Sequence, residues 1–124
     1  LQAIDRATRR RSDAALRDPA APFFVRTEQR LIRIALDDLF CIEGAGDYRL
    51  VHALGRTVRT SETLTMFEQR LPVSRFCRVH RSWLVGLGHV EHVERDHLVV
   101  GERRIPVSAG HRDRLFARLG VEAR

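Results

Sequence analysis

The chain has 124 residues, room for one domain, and its 44% hydrophobic and 31% charged residues exclude a disordered tail or a fibrous repeat. No apolar run approaches the ~18–20 residues that a membrane-spanning helix needs. The net charge of +6 rests on 22 basic residues, every one an Arg, whose planar five-donor fork suits phosphate oxygens and the guanine edge and points to a polyanion as partner.

The chain opens on Leu1 with no signal-peptide pattern after it, and a piece cut from a longer protein is expected. Residues 1–22 are Ala- and Arg-rich and end in Pro19-Ala20-Ala21-Pro22. This composition predicts the end of an upstream helix followed by a proline tether, hence a linker. From Phe23 the pattern becomes that of short antiparallel strands: Phe23 to Arg26, Leu31 to Leu36, Leu39 to Glu43, Tyr48 to Leu54 and Thr57 to Arg59. In the second of these Ile32, Ile34 and Leu36 fall on one face and Arg33 on the other.

A helix is predicted after Thr60-Ser61-Glu62, a hydroxyl cap with a first-turn acid, because Leu64, Phe67 and Leu71 recur at helical spacing before Pro72. Trp83 to Val85, Val90 to Val93, Leu98 to Val100 and Arg104 to Val107 are further strands, the last two joined by a hairpin loop at Gly101-Glu102. Ser108 is placed to cap a final helix with Leu115, Phe116 and Leu119 on its apolar side, ending at Gly120. The expected architecture is mainly β with two short helices: a linker at 1–22, one domain at 23–120 and a tail at 121–124.

Catalytic patterns are missing. Gly44-Ala45-Gly46 lacks the third glycine and following helix of a phosphate loop, and none of Ser61, Ser74, Ser82 or Ser108 stands in a nucleophile elbow. His89, His92, His97 and Asp96 resemble a loose metal cluster, but on a strand His89 and His92 point to opposite faces. Asp37-Asp38 has the look of a polar turn pair, and Cys41 and Cys77 of buried small hydrophobes without metal or redox spacing. No enzyme activity, metal or cofactor is expected. What remains is a set of Arg-bearing segments read as loops: Gly44 to Arg49, Arg75 to Trp83, and the start of the last helix with His111, Arg112 and Arg114. Three basic loops on one β scaffold suit tracking along phosphates while some side chains reach base edges.

Four blocks carry a resemblance. Leu39-Phe40-Cys41-Ile42-Glu43-Gly44-Ala45-Gly46-Asp47-Tyr48 is similar to the "I-x-x-I-E-A-x-x-N-Y" pattern of LytTR-type DNA-binding domains. Thr63-Leu64 and Leu71 follow that family's "T-L-x-x-L-E-x-x-L" helix. Phe76-Cys77-Arg78-Val79-His80-Arg81-Ser82-Trp83-Leu84-Val85 resembles its "F-x-R-x-H-R-S-x-L-V-N", and Ile105-Pro106-Val107-Ser108 its "I-P-V-S-R". Order and spacing agree over about Phe23 to Leu119.

The resemblance implies an antiparallel fold of about ten strands that inserts loops into successive major grooves of double-stranded DNA. It further implies the output domain of a bacterial transcription regulator in a two-component or other signalling system. Promoter direct repeats, a homodimer on DNA, an upstream receiver or sensor domain and a cytoplasmic location come with it. By position, Tyr48 and Arg81 are implied base readers, and Arg49, Arg78, His80 and Ser82 phosphate contacts or loop supports. Two positions depart from the pattern: Asp47 stands where the family has Asn, and Ala109 where it has Arg. His111 is then the candidate third base reader, with Arg112 beside it. A protein-interaction module of the same fold that has lost DNA readout is the alternative.

Overall fold

In a computed structural model that describes residues 23–120, the period-2 patterning resolves into ten strands, two α-helices and two single 3₁₀ turns. The hairpin β1 (Phe23–Arg26) and β2 (Leu31–Ile34) forms a two-stranded antiparallel sheet. The central sheet has five strands in the order β5-β4-β3-β7-β6: β3 (Leu39–Ala45), β4 (Tyr48–Ala53), β5 (Arg56–Thr60), β6 (Phe76–His80) and β7 (Trp83–Gly86). A third sheet is the meander β8 (Val90–Val93), β9 (His97–Val100) and β10 (Arg103–Pro106). Helix α1 (Leu64–Arg70) follows β5, and α2 (Ala109–Leu119) follows β10. The linker expected at 1–22 and the tail at 121–124 lie outside the described residues.

Both faces of the central sheet are covered at β3, β6 and β7, whose buried residues follow one another, whereas β5 alternates and is buried on one face. Ile42, Val51, Val58 and Leu84 join Phe23, Val25 and Ile34 of the hairpin and Leu64 and Phe67 of α1 in one core. Cys41, Cys77 and Val85 turn the other way and meet Leu98, Val100, Ile105 and Leu115 in a second. Gly86 is required by this packing, since a Cβ there would lie 2.8 Å from the Leu39 carbonyl oxygen. Leu115 is the residue of α2 that is fully buried, so its truncation to Ala should cost about 2–5 kcal/mol.

Several sequence expectations need correction. The segment from Arg75 to Trp83 is not a loop: Arg75 closes the turn after Pro72, residues 76–80 form β6 paired with β7, and Arg81-Ser82 turns between them. Gly44 to Arg49 is likewise a hairpin, with Ala45 paired to Tyr48 across a two-residue turn. Leu31 to Leu36 is strand only to Ile34, and Leu36–Asp38 is a 3₁₀ turn that buries Leu36. The cap of α1 is Thr63, whose Oγ1 accepts the Met66 N–H; Thr60 ends β5 and bonds Arg26 instead. Glu62 is not a first-turn acid but a buried carboxylate, accepting the Arg26 N–H and pairing with Arg70 at 2.6 Å. Ser108 stands at the N-cap of α2 without capping through its side chain. The Gly101-Glu102 hairpin is as expected, with Gly101 at φ +61°.

Candidate nucleic-acid interface

The register of the central sheet brings two hairpin turns to the same end. Because Glu43 of β3 pairs with Leu50 of β4 and with Trp83 of β7, the Gly46-Asp47 turn and the Arg81-Ser82 turn emerge side by side. The Gly44 N–H donates to the Ser82 carbonyl at 2.7 Å and fastens one tip to the other. Gly46 sits at φ +66°, with nothing within 4 Å of a Cβ built on it, so backbone conformation rather than space calls for glycine there. The backbone N–H of Ser108 donates to the Val79 carbonyl at 2.9 Å, which sets the start of α2 against β6, beside the second tip.

Around the second tip the polar groups are spent on the loop itself. Arg78 donates from Nε to the His80 carbonyl (3.2 Å), from Nη2 to the Arg81 carbonyl (2.6 Å) and from Nη1 to Glu68 Oε1 (3.2 Å). Its side chain is only 17% exposed, so it holds the turn from behind. His80 Nδ1 accepts the Ser82 N–H at 3.1 Å, which leaves the ring proton on Nε2. Arg81 is exposed and its guanidinium has no partner among the described residues, free to meet something outside the protein.

At the first tip Arg49 folds back, donating from Nη1 to the carbonyls of Gly46 (3.1 Å) and Tyr48 (2.9 Å). The Tyr48 ring is half-buried under the Arg59 guanidinium, 4.1 Å from its centroid. His111, in the first turn of α2, shares a 2.6 Å hydrogen bond between Nδ1 and Ser108 Oγ. Burial lowers its pKa from the ordinary 6.5; the cations of Arg114 and Arg78 add to this and Glu68 opposes it. Tyr48, Arg49, Arg78, His80, Arg81, Ser82 and His111 thus line one end of the molecule. Arg112 diverges, its Nη1 donating to the Arg95 carbonyl between β8 and β9.

Two participants escaped the sequence reading. Arg59 projects from β5 opposite Leu50 and diagonal to Tyr48, which the alternation of Arg56 to Thr60 signals once the hairpin register is known. Glu68 pairs with both Arg78 and Arg114 (3.2 and 3.6 Å) across elements no short-range pattern connects. The histidines of the loose cluster scatter: His89 Nε2 bonds the Asp37 carbonyl, His97 bonds Asp96, and His92 lies 3.8 Å from Glu94. No group of three metal-ligating side chains converges among the described residues. Cys41 and Cys77 are buried free thiols.

With this geometry in hand, the profile of the LytTr DNA-binding domain family matches residues 29–120. The chain belongs to that family. A solved structure described as the LytTr DNA-binding domain of a methyl-accepting/DNA response regulator from Bacillus cereus is similar in fold. It has a TM-score of 0.70 and 25% identity over 80% of this chain and 96% of its own. The sensory transduction protein LytT of Bacillus anthracis is 25% identical over 67 residues. That match spans 54% of this chain and 27% of the relative's length. The ten antiparallel strands and two helices are therefore a LytTr architecture, and the end that gathers the arginines belongs to a DNA-binding domain.

Proposed function

We propose that this LytTr domain binds double-stranded DNA sequence-specifically, as the output of a bacterial transcription regulator in a two-component or other signalling system. The observation that carries this is the pair of hairpin tips locked together by the Gly44–Ser82 hydrogen bond, with Arg81 unpaired at one and Tyr48 at the other. Rigid strands support both tips, so side chains can be delivered to base edges without the cost of ordering the backbone. Arg81 is the base reader of the second tip, since a free guanidinium matches guanine O6 and N7. Tyr48 reads at the first tip and His111 at the start of α2. Arg49, Arg78, His80 and Ser82 hold the tips in shape, and Arg112 contributes positive charge at the margin. Promoter direct repeats occupied by two copies in successive major grooves, an upstream receiver or sensor domain and a cytoplasmic setting complete the reading. The work is binding rather than catalysis, without metal or cofactor.

Asp47, exposed at the first tip where phosphates would approach, favours a second reading, a protein-interaction module of the same fold. Genome-fragment selection with the purified protein at moderate and high salt separates the two. Enrichment of paired short repeats about one helical turn apart is expected. Retention of no fragment, or of all fragments equally, would favour the interaction module instead.

A further inference from the structure

Beside the first tip runs a groove of about 780 Å³, along the open edge of β5 and facing the turn between β1 and β2. Arg30, Arg56, Arg59 and Tyr48 line it, together with the acids Glu28 and Asp47. Arg56 is committed through Nη2 to the Arg33 carbonyl. Arg59 is exposed and, apart from its place over the Tyr48 ring, has no hydrogen bond or ion pair among the described residues. Held over the face of the Tyr48 ring, the guanidinium is anchored by the ring quadrupole while its N–H donors stay unpaired. Such a fork is preorganised for two oxygens of one anionic group. The edge of β5 adds backbone N–H groups that no neighbouring strand takes up. Asp47 and Tyr48 of the first tip are part of its lining, so the groove adjoins that tip.

We propose that this groove is a second DNA-contact site, in which Arg59 donates to a backbone phosphate of the duplex flanking the segment held by the two tips. The site rests on the DNA-binding reading above and extends its footprint to one side. It is independent of base sequence, because the phosphodiester is common to all duplexes.

Arg59→Ala, Arg59→Lys and Arg33→Ala are compared with the parent, on the selected duplex and on a random-sequence duplex. Arg33 is exposed on β2 and lines no part of the groove. Thermal melts accompany each variant. The slope of log K against log salt should fall in magnitude by about 0.9 for Arg59→Ala, because one fewer phosphate is neutralised. Arg59→Lys keeps the charge and the parental slope. Neutralising single phosphates as methylphosphonates should weaken the parent at one flank position and leave Arg59→Ala indifferent there. A parental slope in Arg59→Ala, or an equal fall in Arg33→Ala, overturns the proposal. A parent that binds every duplex alike refutes sequence-specific reading yet leaves the slope test standing. A parent that binds no duplex removes both.

Discussion

Replacing Arg78 with Ala separates a residue that shapes the reading tip from one that grips DNA. In the native protein its guanidinium joins the carbonyls of His80 and Arg81 and the Glu68 carboxylate. Hydrogen bonds from charged donors contribute about 1.5–3 kcal/mol each when buried. Here both carbonyls lie at a turn that water can reach once the side chain is gone, so about 1 kcal/mol apiece is the appropriate scale. The Glu68 pair, with the carboxylate 36% exposed, adds about 0.5 kcal/mol. The sum, about 2–3 kcal/mol, corresponds to a Tm lowered by roughly 8–20 °C in a domain of this size. Calorimetry or a circular-dichroism melt measures it. Affinity for the selected duplex should fall because the Arg81 turn loses its brace, while the salt slope changes little. An unchanged melt together with a slope reduced by about 0.9 would refute this reasoning and make Arg78 a phosphate ligand.

Arg81→Ala should relax base preference at one position by about 1–3 kcal/mol, seen in a repeated selection, with the melt unaltered because the side chain is unpaired. His111 gives a pH dependence of definite sign. Its folded pKa lies below the ordinary 6.5, so the unfolded chain takes up the proton first as pH falls. The associated stability is complete above about pH 6.5 and is lost as pH descends from there through the folded pKa. Melts between pH 8 and pH 5 should show that loss, and His111→Gln should flatten it. The cysteines should not form a disulfide with each other or react while the protein is folded. Burial pushes the Cys41 thiol up to about 12, with Arg103 opposing and Glu43 reinforcing, and Cys77 is raised in the same way. Both pair in register with Val85 from opposite sides, which places them two strands apart, about 9–10 Å, beyond the ~7 Å a disulfide spans. A thiol reagent at neutral pH should label neither until denaturant is added.

Much of this fold was legible in the sequence because its strands advertise themselves locally. The short apolar run at Phe23 to Val25, the Gly101-Glu102 turn and the helical spacing of Leu64, Phe67 and Leu71 each depend on nearby residues alone. β6 was not, because three arginines and a histidine between residues 75 and 81 look like solvated loop. Only its pairing with β7 and the seating of α2 on Val79 give the segment a buried side. The cap of α1 was misplaced by three residues for a related reason. Thr60 and Glu62 are held by Arg26 and Arg70, partners 34 and 8 residues away, and these long-range bonds outweigh local capping chemistry. At the site, residue types were readable from the four blocks, but the division between free and engaged arginines was not. That Arg78 is braced, Arg81 open and Arg59 stacked follows from which strands are neighbours.

If one end of the central sheet meets DNA, backbone amide shifts of isotope-labelled protein, followed as the selected duplex is added, will locate that end directly. The largest changes are expected at residues 46–49, 80–82 and 108–111, the two fastened tips and the start of α2. Changes concentrated instead at the opposite end of the sheet, around the Leu54-Gly55 turn, Arg75 and His89, would contradict it.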